Sequence, residues 1–254
     1  MSANERRHFL RRAAGAVGAL LLGGCDQLSQ QPQATAVLAS AERLTAAAQR
    51  LLTPRGALAR EYTEADISPV FKPNGSTNPD DAAYRALAAN SFHGYRLAVG
   101  GMVRQPFSLS LDELRALPAR TQITRHDCVE GWSVIGKWKG VPLGHLLDRA
   151  GLSPQARYVV FRCADRLDAD GPAYYESIDL DDAYHAQTIL AYELNGAPLP
   201  IANGAPLRVR IERQLGYKMA KYIMAIDLVD SFANIEGGNG GYWEDQGYEW
   251  YAGI

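Results

Sequence analysis

The chain has 254 residues, 26 basic and 28 acidic side chains, and a formal charge of −2, with 47% hydrophobic residues. That length supports one large domain with a substantial core. The slightly acidic balance argues against nucleic acid or an anionic lipid surface as a partner.

The N-terminus carries Arg6, Arg7, His8, Phe9, Leu10, Arg11 and Arg12, followed by an apolar stretch from Ala13 to Leu22. A helix needs about 20 apolar residues to cross a hydrocarbon core, so this shorter run reads as a signal segment. The arginine pair with Phe9 and Leu10 resembles a twin-arginine export signal, with an ordinary secretory peptide as the alternative. Twin-arginine export carries folded cargo, commonly because a cofactor is inserted in the cytoplasm. Leu22, Gly23, Gly24 and Cys25 resemble a lipobox, which makes Cys25 a lipid anchor and not a site residue. Removing residues 1–24, which carry a net +3, leaves about −5.

From Asp26 to about Thr35 the chain is polar and Gln-rich, as suits a tether. Ala36 to Leu52 is expected to be a helix with Leu38, Leu44, Leu51 and Leu52 on its buried side, ended by Pro54. Tyr95 to Val103 reads as a strand, and Ser110 to Leu117 as a short helix opened by a Ser110/Glu113 capping box. A second strand runs into Cys128. Pro142 at a first helical position and Gly151 frame another helix. Tyr158 to Cys163, Thr188 to Leu194, Leu207 to Ile211 and Lys221 to Val229 are strand-like, and Asn195-Gly196 marks a tight turn. Short helices among many strands, without regular alternation, predict an α+β domain with a mixed sheet.

Cys25 aside, the cysteines are Cys128 and Cys163. In an exported protein they could pair as a disulfide; Cys128 could equally be a metal ligand or a nucleophile. His126 and His185 show no zinc-ligand spacing with them. Downstream, Asn203-Gly204-Ala205-Pro206-Leu207-Arg208 and Gly216-Tyr217-Lys218-Met219-Ala220-Lys221 form two glycine-containing turns. With Arg208, Lys218 and Lys221 close behind, they could hold an anionic group.

The ordered set Asp127-Cys128-Val129-Glu130-Gly131-Trp132-Ser133, Asn203 to Arg208, and Gly216-Tyr217-Lys218 with Lys221 resembles the molybdopterin-binding oxidoreductase domain of the sulfite oxidase family. The resemblance covers roughly Phe71 to Phe232. It implies a mixed-sheet sulfite-oxidase-type fold and a molybdenum-molybdopterin cofactor, with Cys128 as the protein's thiolate ligand to the metal. By the same resemblance Asn203 and Arg208 bind the pterin and its phosphate, Met219, Ala220 and Lys221 lie beside that phosphate, and Cys163 falls where relatives place a small polar cofactor residue. Asn74, in Phe71-Lys72-Pro73-Asn74-Gly75, matches an upstream cofactor loop. The organisation expected is a signal segment at 1–24, a tether and helix at 25–60, and the oxidoreductase domain at 61–254, without the C-terminal dimerisation domain of animal and plant sulfite oxidases.

Sulfite-oxidising members carry an arginine shortly after the metal-binding cysteine, where this chain has Val129 to Ser133. The pattern is closer to periplasmic methionine sulfoxide reductase catalytic subunits, which points to S-oxide reduction, with sulfite oxidation or a metal-free lipoprotein scaffold as alternatives. Tyr217, Glu130 and His126 are the candidates for proton delivery. Electrons are expected from a membrane cytochrome or quinol-linked subunit, at a periplasmic enzyme anchored by lipid on Cys25. The tail from Gly237 to Tyr251 is glycine-rich and aromatic; it is expected to wrap and cap the domain, with closure over a site as the alternative.

Overall fold

The computed structural model describes residues 41, 44–168 and 170–254; the export signal, Cys25 and the tether lie outside them. The chain divides into a unit Met1–Leu52 and a unit Thr53–Ile254. In the first, residues 44–52 are helical as expected; of the leucines expected on the buried side, Leu38 lies outside the described residues and the other three are not buried. Leu44, Leu51 and Leu52 are 70%, 86% and 82% exposed.

The second unit holds two five-stranded sheets. Strands β1 (Arg96–Gly101), β2 (Phe107–Ser110), β5 (Tyr158–Cys163), β6 (Tyr175–Asp179) and β10 (Ile223–Val229) make one, in the order β2-β1-β10-β5-β6. Only β1 and β10 run parallel, so this sheet is mixed. The other, ordered β3-β4-β7-β8 with β9 also on β7, contains β3 (Arg120–Cys128), β4 (Trp132–Pro142), β7 (Ile189–Leu194), β8 (Ala197–Pro198) and β9 (Arg208–Arg210). The fold is α+β, as the sequence predicts.

Local chemistry explains the boundaries. Helix α1 (Leu111–Arg115) starts on the Ser110/Glu113 capping box, both halves of which form. Helix α2 (Leu143–Ala150) ends at Gly151, whose φ of 65° favours glycine; Pro142 is its N-cap and not its first helical residue. Asn195 and Gly196, at φ 53° and 79°, make the two-residue turn between β7 and β8.

Strand β4, 11 residues long, does not read as a strand because Gly136, Lys137, Lys139 and Gly140 dilute its apolar pattern. Gly140 has a packing reason. A Cβ there would lie 2.2 Å from the carbonyl oxygen of Leu190, so β7 can approach β4 only where the side chain is hydrogen. The main core is shared by both sheets and the helices, with Leu97, Val99, Val160, Phe161, Ile226 and Leu228 from the first sheet, Val141, Leu190 and Val209 from the second, and Leu147 from a helix. Strand β3 departs from that chemistry: its inward row is Gln122, Thr124, His126 and Cys128, all buried.

Candidate active site

Pairing of β3 with β4 closes on Cys128 opposite Trp132, leaving Val129, Glu130 and Gly131 as the loop. Gly131 takes φ 85° and donates its N–H to the Cys128 carbonyl, the geometry of a three-residue hairpin with glycine in the left-handed position. This turn fixes the thiol at the end of the polar row, and the backbone N–H of Glu130 points at it. Burial pushes the thiol up from its ordinary range, while that N–H favours the thiolate. Cys128 and Cys163 are both free, so the disulfide alternative does not hold. Among the described residues no group of three His, Cys, Asp or Glu side chains could hold a metal.

Cys128 opens into a cleft. Its walls include Asn74, Gly75, Ser76, Val129, Glu130, Asp165, Gly216, Tyr217, Met219, Ala220 and Lys221. The upstream loop, the β3–β4 turn and the 216–221 segment, far apart in sequence, therefore meet as the sequence motifs suggest.

Lys221 ties them together. Its Nζ donates to the carbonyls of Asn74 (2.5 Å), Ser76 and Ala202 (3.3 Å), and burial and Arg208 bring its pKa down to about 7. Asn203 and Arg208 stand behind this wall. The Arg208 guanidinium, fully buried and 5.1 Å above the Trp138 ring, donates to the carbonyls of Asn203 and Met219. Burial first, then Arg210, brings its pKa down to about 9. Its Nε and the Asn203 Nδ2 are buried without a partner. Orphaned donors beside two cations whose charged forms are disfavoured are the chemistry of a pocket made to receive an anion.

Lys218 does not belong to that cation set. It turns the other way, into a buried cluster with Glu176 and Glu244. Cys163 also lies outside the cleft wall, buried at the end of β5 with its thiol pushed up by burial. Two residues on, Asp165 does reach the wall. It accepts from Ser76 Oγ at 2.8 Å, keeps a buried Oδ1 without a partner, and is pushed up by burial. Reading the sequence missed Asp165 because an acid in a loop carries no pattern of its own.

The proton-delivery candidates separate. Glu130 lines the cleft, accepts from the Trp132 indole at 2.7 Å and has Lys72 at 3.9 Å. Tyr217 lines it too, but its hydroxyl donates to the Glu249 carbonyl at 2.6 Å. His126 is not in the wall. Arg210 Nη1 sits 2.9 Å from its Nδ1, and since an arginine only donates, Nδ1 accepts and the ring is neutral. Met219 Sδ also lies 3.3 Å from that nitrogen. Burial and then Arg210 hold its pKa well below the usual range, so His126 is a buried structural histidine and not an exposed proton donor. The tail does more than cap: Trp243 and Tyr248 line the same cleft.

Residues 86–234 match the family of the oxidoreductase molybdopterin binding domain. The chain belongs to that family. It is a molybdopterin-binding oxidoreductase of the sulfite oxidase family. A putative protein-methionine-sulfoxide reductase subunit YedZ1 of Azospira oryzae is 41% identical over 98% of this chain and 87% of that protein. The protein-methionine-sulfoxide reductase catalytic subunit MsrP of Xanthomonas axonopodis pv. citri is 41% identical over 54% of this chain and 45% of its own length. The sulfane dehydrogenase SoxCD of Paracoccus pantotrophus superposes with a TM-score of 0.49 at 22% identity, over 55% of this chain and 39% of that one. The site residues fit a molybdopterin: a thiol opens into the cleft, and unpaired buried donors stand beside the cations that a phosphate requires.

Proposed function

We propose that this chain is the catalytic subunit of an exported molybdenum enzyme that reduces S-oxides, methionine S-oxide in proteins foremost. The observation that carries the reading is the cleft itself, in which the Cys128 thiol shares one space with Lys221 and with a wall that suits a neutral substrate. The balanced reaction is R–S(O)–R′ + 2 H⁺ + 2 e⁻ → R–S–R′ + H₂O. The cofactor supplies the two-electron oxygen-atom chemistry when bound.

The chain's residues have separate tasks. Cys128 would hold molybdenum through its thiolate, a soft ligand suited to that metal. Asn203, Arg208 and Lys221 hold the phosphate end, with Asn74, Met219 and Ala220 completing the cradle and Asp165 offering an acceptor; Cys163 packs behind it. Glu130 presents a carboxylate beside the reacting region and is the residue assigned to proton delivery. Tyr217 contributes its ring, since its hydroxyl is held by Glu249.

Charge separates S-oxide from sulfite. Among the described residues lining the cleft, Lys221 is the one cation, and it is assigned to the phosphate end, which leaves none for a sulfite dianion. Beside Cys128 stands the Glu130 carboxylate, which repels a dianion and tolerates a neutral sulfoxide. The scaffold alternative relied on a Cys128–Cys163 disulfide and loses its basis with both thiols free. In the proposed setting the enzyme is periplasmic, exported by the twin-arginine route, anchored by lipid on Cys25 and reduced by a membrane cytochrome or quinol-linked subunit. Among the described residues no helix is long and apolar enough to cross a membrane.

Protein purified from a molybdenum-replete host is the material for the test. Stoichiometric molybdenum by elemental analysis, with methionine sulfoxide reduced by a viologen donor and little ferricyanide-linked sulfite oxidation, is the expected result. Activity with sulfite alone refutes the substrate, and absence of molybdenum refutes the metal.

A further inference from the structure

Three aromatic side chains in the cleft have no part in gripping the cofactor. Tyr217 and Tyr248 meet edge to face at 5.2 Å, and Tyr248 stacks on Trp243 at 5.1 Å. The set grades from buried Tyr217, 8% exposed, to Tyr248 at the rim, 38% exposed. Val129, 48% exposed, and Leu167 also line the cleft and add aliphatic surface. Exposed aromatic and aliphatic groups converging in a cleft mark a binding surface more than a packing one.

The wall is held rigid from behind. Trp243 lies between Tyr242, whose hydroxyl donates to Asp168, and Glu244, which is paired to buried Lys218. Asp245 accepts from the Tyr175 hydroxyl and from the backbone N–H groups of Gly237 and Asn239. Both neighbours of the indole are thus anchored to the domain, so a ligand meets a surface already in place.

We infer that Trp243, Tyr248 and the Tyr217 ring form an alkyl-binding subsite that selects S-oxides carrying a flexible aliphatic chain, as a methionyl side chain does, over compact sulfoxides. The inference rests on the S-oxide reading and adds where discrimination resides. Rings of this kind receive the carbons and the sulfur of such a chain through apolar and sulfur–aromatic contact. The graded exposure suits a substrate that extends outward from the reacting atom toward solvent, which dimethyl sulfoxide cannot do.

The test uses the holoenzyme and two ligands, N-acetylmethionine sulfoxide methylamide and dimethyl sulfoxide. Dissociation constants come from ligand-observed NMR, and kcat/KM from viologen-linked reduction. Trp243→Ala and Tyr248→Ala are each expected to weaken the methionyl ligand about tenfold and to lower its kcat/KM relative to dimethyl sulfoxide by a similar factor, the size set by a lost apolar contact in a pocket. Trp243→Phe and Tyr248→Phe should restore most of both. Tyr248, at the rim, keeps the test valid if the Trp243 variant folds poorly. Equal losses for the two ligands, or no loss for either, overturn the inference, as does a wild-type enzyme that binds both alike. Selective binding without any turnover refutes S-oxide reduction and leaves the subsite standing.

Discussion

Replacing Lys218 with methionine should destabilise the domain in a strongly pH-dependent way. Lys218, Glu176 and Glu244 have side-chain exposures of 1%, 0% and 1%. In the native cluster burial pushes Glu176 well up, the Lys218 ammonium pulls it back, and the neighbouring Glu244 pushes it up again. Once the ammonium is gone, the cluster escapes an additional buried anion only by protonating one more carboxyl than before. A free glutamate titrates near 4.3 and one pKa unit corresponds to about 1.4 kcal/mol, so holding that carboxyl neutral costs about 3.7 kcal/mol at pH 7 and about 1 kcal/mol at pH 5. The pH 7 figure agrees with the roughly 3–5 kcal/mol seen when one partner of a buried ion pair is removed.

The sign follows from linkage. Relative to wild type, the variant's folded state holds one further proton that its unfolded chain releases above about pH 4.3, so the variant loses stability faster as pH rises. Urea denaturation of wild type and K218M at pH 5, 6 and 7 should therefore show a deficit growing by about 1.4 kcal/mol per unit. Adding Glu244→Gln should flatten that growth. A deficit independent of pH, or one below about 1 kcal/mol at pH 7, refutes the view that Lys218 offsets the buried carboxyl charge.

Cys128→Ser should abolish molybdenum retention in elemental analysis while moving the thermal midpoint of the cofactor-free protein by only a few degrees, because one sulfur near a cleft contributes little to the core. The cofactor-free protein should grow more stable from about pH 7 to pH 10. Lys221, brought down to about 7, is then protonated in the unfolded chain and neutral in the folded one. Binding of the pterin phosphate at pH 8 should accordingly take up protons, read by calorimetry in buffers of different ionisation enthalpy, and Lys221→Met should remove the uptake. Gly140→Ala should cost at least about 2 kcal/mol in denaturant melts, since its Cβ would sit 2.2 Å from the Leu190 carbonyl and backbone must yield.

The thiol turn and the Arg208 and Lys221 positions were legible because they lie in short motifs whose residue types carry chemistry. So was the α+β class, from strands such as Tyr158–Cys163 whose apolar runs end at turn residues. Strand β4 was hidden by its glycines and lysines, and for Gly140 the reason is a neighbour 50 residues away, the Leu190 carbonyl. Lys218 misled for a related cause. It sits between two cleft residues, Tyr217 and Met219, yet faces away, because successive side chains of that short turn diverge and two buried carboxylates from β6 and the tail capture it. The partners that decide a buried charge are distant in sequence, and residue type alone does not reveal them.

The cofactor grip and the substrate wall are held by different parts of the chain. Lys221 and Arg208 bond to carbonyls of Asn74, Ser76, Ala202, Asn203 and Met219, and none of these residues belongs to the tail. Trp243 instead depends on Glu244, Tyr242 and Asp245. Damage to the Lys218 cluster should therefore loosen substrate selection before it releases cofactor. At pH 5.5, where K218M retains most of its stability, molybdenum content should stay at the wild-type value. KM for the methionyl S-oxide should rise about tenfold while that for dimethyl sulfoxide hardly moves. Parallel loss of molybdenum and substrate affinity would mean that the tail supports the whole cleft, and that the two functions are not mechanically separate.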